Sequence, residues 1–191
     1  MDVINEYHIS GLNLSKLESY ILEHGTLRTV YKKEYLLKQN DVNSYIGFIS
    51  KGMFRYTRID NIGNEHIVGY SFEKEFVGEY AANLCNRESL VNIQAITDSD
   101  VYIIKYADIT KLWNSSMEYQ RLGRIVAEQL FVMTYRRLID SYCSTPEERY
   151  IDLMRRYPNL KELIPLKEIA SFIGITPETL SNIRRRLLKK S

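Results

Sequence analysis

Leu14, Leu17 and Ile21 fall on one face of a helical wheel, and Gly25 follows them as a stop, so the chain is predicted to open on a short helix over residues 14–24. From Thr26 to Lys105 the period changes. Short β-rich runs, YIGFIS, MFRYTRID, EHIVGYSF, VNIQAI and DVYIIK, are separated by turn signals such as Gly52 and the NIGN of Asn61 to Asn64. Many short strands joined by hairpins predict a small barrel or sandwich and not a parallel sheet.

Residues 116–142 return to helical spacing over a length of about 40 Å at 1.5 Å per residue. Leu122, Val126, Leu130, Met133 and Leu138 spread around more than one narrow stripe, with no Pro and no Gly after Gly123. Such a helix is too apolar around its circumference to lie alone on a surface. It is predicted to pack on the barrel with one side and on its symmetry mate in a homodimer with the other, with Leu122, Val126 and Met133 at the interface. The alternative is a helix buried wholly within one subunit. A new unit is predicted at STPEE, where Thr145 can cap a helix, Pro146 suits its first position and Glu148 completes a T-x-x-E capping box; this helix ends before Pro158.

In the last segment Leu166, Ile169, Ala170 and Ile173 follow the i, i+3, i+4, i+7 pattern and Gly174 stops them. Thr176 is a suitable N-cap and Pro177 a suitable first-turn residue for a second helix whose Leu180, Ile183 and Leu187 face inward. Two short helices joined by a tight Gly-containing turn, with small Ala170 at the crossing, predict a helix-turn-helix.

Charge sharpens that picture. The 191 residues carry a formal charge of +2. Residues 145–191 hold 10 Lys/Arg against 6 Asp/Glu, leaving 16 against 18 in the remainder, so the positive charge is local and points to a polyanion met by one end of the chain. The outward face of the last helix is predicted to carry Glu178, Ser181, Asn182 and Arg185, flanked by Arg184, Arg186, Lys189 and Lys190. Side chains able to hydrogen-bond base edges lie in front and cations able to neutralise phosphates lie behind, so Thr176, Glu178, Thr179, Ser181, Asn182, Arg184, Arg185, Arg186 and Lys189 form the candidate DNA-binding set. The competing reading is a solvated polar tail.

IASFIGITPETLSNIRRRL resembles the helix-turn-helix of the Crp/Fnr family of bacterial transcription regulators, and TPEERYIDLMRRYPNL the helix leading into it. FVGE at Phe76 to Glu79 is similar to that family's nucleotide-pocket signature, and MFRYTRIDNIGNEHIV to a hairpin of its cyclic-nucleotide-binding β-roll. The resemblance covers nearly the whole chain. It implies an α+β fold: an N-terminal double-stranded β-helix or jelly-roll over residues 1–115 that senses an effector, a long dimerisation helix over 116–143 and a winged-helix-like helix-turn-helix over 144–191, with no closing wing strands read before Ser191. It further implies a homodimer on a palindromic duplex operator, RNA polymerase as another partner and a small-molecule effector of unknown identity.

Ligand residues implied by the resemblance are Gly78, Glu79, Arg87, Ser89 and Thr134, but the pattern departs from the family's. Members that bind cyclic AMP hold its phosphate with an Arg-Ser/Thr pair; counting in register from Glu79 lands on Ser89 and Leu90, and Arg87 lies two residues early. The roll is therefore expected not to respond to cyclic AMP. It either takes a less anionic or more apolar ligand or acts as a scaffold. Asn182 stands where the family commonly has Arg, so the family's usual base preference does not carry over.

Other chemistry finds little footing. His8, His24 and His66 are scattered, no phosphate loop, G-x-S-x-G or HExxH occurs, and neither a metal, a cofactor nor catalysis is expected. Cys85 and Cys143 form no ligand spacing and are expected to be reduced core thiols. With no apolar run approaching ~18 residues and no signal-peptide pattern, the protein is expected in the cytoplasm, away from membranes. A second functional reading stays open: a cyclic-nucleotide-binding-like sensor or interaction module without sequence-specific DNA binding.

Overall fold

The computed structural model describes residues 14–42, 44–157 and 160–190; His8 and Pro158 lie outside the described residues. The chain divides into two compact units, one over residues 12–125 and one built on the residues from 126 onward. The border falls inside the long helix and not at either of its ends.

The first unit opens with α1 (Ser15–His24), whose Leu17 and Ile21 are buried, and Gly25 ends it by donating its amide to the Ile21 carbonyl at 2.8 Å. Eight strands follow: β1 (Thr26–Val30), β2 (Tyr35–Leu37), β3 (Tyr45–Lys51), β4 (Phe54–Ile59), β5 (Glu65–Ser71), β6 (Phe76–Val77), β7 (Asn92–Ala95) and β8 (Ser99–Lys105). They form two four-stranded antiparallel sheets in the orders β1-β8-β3-β6 and β2-β7-β4-β5. Between β6 and β7 lies the short helix α2 (Tyr80–Cys85).

Two cores hold this roll. Val30, Ile49, Phe54, Ile93 and Val101 are fully buried between the sheets. On the outer side of β3 and β8, Phe48 and Ile104 pack with Leu17, Ile21, Ile109, Leu112 and Leu122. Each such side chain contributes about 1.5–3 kcal/mol by leaving water. Ile109 and Leu112 come from α3 (Tyr106–Ser115), and Leu122 from the first turns of α4 (Met117–Cys143). Trp113 lies against Gly123, where an added Cβ would come 2.9 Å from the indole Cδ2. Leu122, expected at a dimer interface, is instead part of this unit's own core at 8% exposed. The helical repeat places it on the side of α4 that the roll covers.

The second unit carries α5 (Pro146–Arg156), α6 (Leu160–Leu163), α7 (Leu166–Phe172) and α8 (Pro177–Lys190). The capping box at its start is formed: the Glu148 amide donates to the Thr145 hydroxyl at 3.3 Å, and the Thr145 amide donates to the Glu148 carboxylate at 2.7 Å. Tyr150, Leu153, Leu160, Ile169, Leu180 and Ile183 are buried in this unit. Leu166, expected on an inward face, is 38% exposed, because α7 begins at that residue and its first turn leaves the helix pair.

Both cysteines are free, but they depart from the expected core position, since both are exposed. Cys85 ends the six-residue α2, whose inward positions are Ala82 and Asn83, and Cys143 ends α4. No helix among the described residues is long and apolar enough to cross a membrane.

Candidate functional site

The helix-turn-helix is set by local chemistry. Gly174 has φ +71°, the left-handed conformation that favours glycine, and so turns the chain after α7. The Thr176 hydroxyl accepts the Thr179 amide at 3.2 Å and caps α8, while the two hydroxyls lie 3.1 Å apart. Leu180 and Ile183, each 1% exposed, fix the rotation of α8 about its axis. That rotation leaves Glu178, Ser181, Asn182, Arg185, Arg186 and Lys189 exposed, with Thr179, Arg184 and Leu187 half-buried. The Lys190 side chain lies outside what is described.

Three details qualify this face. Arg186 pairs with Glu147 at 2.9 Å, tying α8 to the start of α5. Arg185 reaches the Asn182 amide oxygen at 3.5 Å, so the two neighbours are mutually oriented. The Glu178 carboxyl is held below the usual range by its own backbone amide and then by the Thr176 hydroxyl, which keeps it an acceptor. Sequence reasoning missed Arg149, whose Nε donates to the Ile173 carbonyl at 3.1 Å and whose guanidinium also donates to the Ser144 carbonyl at 2.6 Å. These bonds brace the turn from α5. No local periodicity marks a side chain that acts 24 residues along the chain.

The exposed apolar residues along α4 include Phe131, Tyr135, Leu138 and Tyr142, at 67%, 54%, 51% and 81%. Their spacing of four, three and four puts them on one stripe, and Phe131 and Tyr135 stack at 6.0 Å. Val126 and Met133, the other expected interface residues, are half-buried and lie on the opposite side of the helix by the 3.6 repeat. The 4-3-4 spacing was present in the sequence as the signal for the exposed stripe.

At the nucleotide-pocket signature, Gly78 has φ +149° and donates its amide to the Tyr56 hydroxyl at 3.1 Å. Burial pushes that phenol above its ordinary value. The Glu79 carboxylate accepts the Leu90 amide at 3.0 Å and the Ser89 hydroxyl, so it is turned onto its own loop. Ser89 is fully buried, Arg87 is exposed, and the Thr134 hydroxyl donates back to the Leu130 carbonyl at 2.8 Å. The structure thus joins Glu79 to Ser89 within the roll, and Arg87 makes no side-chain bond to either.

A cavity of about 530 Å³ opens between the two sheets, and of the expected ligand residues only Gly78 lines it. Its polar rim is made by Arg28, Tyr45, Lys105, Asp108 and His24, of which sequence reasoning weighed only His24 and set it aside. Among the described residues no three metal-ligating side chains gather.

Residues 19–116 match the cyclic nucleotide-binding domain. A protein of Rhizobium leguminosarum bv. viciae named as a transcriptional activator is 26% identical over 183 residues, covering 87% of this chain and 72% of the relative. FixK2 from Bradyrhizobium japonicum superposes with a TM-score of 0.72 at 16% identity, covering 87% of this chain and 85% of the other. The c-di-GMP-responsive regulator CLP of Xanthomonas campestris gives 0.66 at 16%, covering 93% of both chains. A protein from Eubacterium rectale described as a transcriptional regulator of the Crp/Fnr family gives 0.66 at 16%, covering 97% and 89%. With the matched domain spanning half its length, the chain belongs to the cyclic nucleotide-binding domain family and has the fold of the Crp/Fnr transcription regulators.

Proposed function

We propose that the protein is a homodimeric DNA-binding transcription regulator of the Crp/Fnr type that does not respond to cyclic AMP. The observation that carries the reading is the face of α8, where Glu178, Ser181, Asn182 and Arg185 are exposed opposite the fully buried Leu180 and Ile183. A capped helix held at one rotation, with base-reading side chains forward and Arg184 and Lys189 beside them, suits a major groove. The stripe Phe131, Tyr135, Leu138 and Tyr142 on α4 is the surface proposed to meet a second copy, which would set two α8 helices about one helical turn apart on a palindromic operator, ~34 Å. RNA polymerase is proposed as the further partner, and the cytoplasm as the place of action.

The roll lacks the phosphate clamp that cyclic AMP needs. Glu79 is occupied by Ser89 and Leu90, and the exposed Arg87 is not brought to them. The alternative, an interaction module without sequence-specific DNA binding, is favoured by one observation: the Arg186 pair with Glu147 takes a cation off the DNA face. Selection of duplexes from a random library, followed by titration at several salt concentrations, separates the two. A preferred palindrome bound well above random duplex is expected, and equal affinity for both overturns the regulator reading.

A further inference from the structure

The cavity between the sheets has an unusual construction. Its floor is one row of inward positions across four strands, Thr26 on β1, Ile103 on β8, Gly47 on β3 and Val77 on β6, paired in register. Glycine at position 47 lets Val101 and Val77 pack closely over this row. A Cβ there would come 2.7 Å from Val101 Cγ2 and 3.0 Å from Val77 Cγ1. The facing wall is Leu36, Leu37 and Ile93 from the second sheet. The volume of about 530 Å³ lies within the ~300–1,000 Å³ usual for small-ligand sites.

Two cations close the mouth. Arg28 shares the inward face of β1 with Thr26 and the core residue Val30, and Lys105 shares that of β8 with Ile103. Both line the cavity, and neither makes a salt bridge among the described residues. Asp108 on the same rim is already bonded to Lys111 at 2.7 Å. An apolar chamber ending in two unbridged cations is complementary to a molecule with an apolar body and one anionic head.

We propose that this cavity binds a small amphiphilic anion, its carboxylate or phosphate held by Arg28 and Lys105 and its apolar body lodged between the sheets against Leu37, Ile93 and Ile103. Cyclic AMP is a poor match, because the facing wall of Leu36, Leu37 and Ile93 offers its ribose and purine no side-chain hydrogen-bond partner. The site is distinct from Glu79 and Ser89, which do not line the cavity.

Calorimetry of the full chain without DNA tests this, with octanoate and octyl phosphate as probes and octylammonium as the matched cation. At least one anion binds, with the tighter of the two naming the head group, and octylammonium does not. Arg28→Gln and Lys105→Gln, both at the exposed rim, each weaken binding at least about tenfold, and Arg28→Lys recovers part of the loss. Unchanged thermal melting of the variants excludes a folding defect. Failure of both anions to bind at millimolar concentration, equal binding of octylammonium, or an Arg28→Gln/Lys105→Gln double variant that binds as well as the parent overturns the proposal. Operator affinity of the same variants is measured separately, so a failure of this site is distinguishable from a failure of the DNA-binding reading.

Discussion

The carboxylate of Glu79 accepts the amide hydrogen of Leu90 at 3.0 Å and is thereby folded onto the loop that would have to open toward a nucleotide. Ser89 beside it is fully buried. A cyclic phosphate placed here would face the Glu79 carboxylate, while the neighbouring Arg58 is already engaged by the Leu90 carbonyl at 2.9 Å, and an incompletely paired buried charge costs several kcal/mol. Cyclic AMP and cyclic GMP titrated calorimetrically are therefore expected to bind at least a few hundredfold more weakly than micromolar, the loss expected for ~3–5 kcal/mol. A micromolar dissociation constant, or a gain in operator affinity on adding either nucleotide, would refute this.

Charge placed on the exposed stripe of α4 is expected to dissociate the protein. Phe131→Glu and Leu138→Glu stand at positions 67% and 51% exposed, so the fold tolerates them and the effect reads association alone. Light scattering after size exclusion is expected to give twice the chain mass for the parent and the single-chain mass for either variant. A monomeric parent sinks the dimer.

DNA binding is expected to divide by the role of each residue. Arg184→Ala and Lys189→Ala weaken all duplexes and lower the salt slope by ~1 per lost phosphate contact. Asn182→Ala relaxes preference at one base pair by ~1–3 kcal/mol, and Glu178→Ala and Arg185→Ala act in the same selective way. Uniform losses from both groups on specific and random DNA would contradict the assignment.

Arg149→Met is expected to lower the stability of the second unit by about 1–3 kcal/mol, because the Ile173 and Ser144 carbonyls lose their donor together. Chemical denaturation monitored on the helix signal reads it. A variant as stable as the parent would show that water replaces the clamp.

The capping box makes the start of α5 sensitive to acid. Hydrogen bonds from the Thr145 amide, and then its hydroxyl, hold the Glu148 carboxyl below its ordinary 4.5, so its stabilisation is present above that value and is lost as pH falls. The melting difference between the parent and Glu148→Gln is expected at pH 7 and closes below about pH 4.5. A difference independent of pH would exclude the carboxylate as its source.

Elements that carry their own local signals were legible. Thr145 with Glu148, Gly174, Thr176 and the alternation in β3, β4, β5, β7 and β8 each announce themselves within a few residues. The runs TLRTV, YLL and FV did not, because β1 exposes four of its five residues, β2 is three residues long and β6 two. α3 follows Lys105 with no side-chain cap to mark its start. The proposed DNA face was readable because it lies on one helix. The cavity was not: Thr26, Gly47, Val77 and Ile103 become neighbours only through strand register, and Arg28 and Lys105 look like ordinary surface cations until that register is known.

The close seat of Trp113 on Gly123 gives the chain a built-in optical gauge. It is the only tryptophan in the sequence, and its indole rests where the first turns of α4 meet the roll's outer core. Its emission therefore reports the seating of that helix. Ligand entry that shifts α4 on the roll becomes visible in a fluorimeter without any attached dye, and a spectrum that stays constant assigns the response to another part of the molecule.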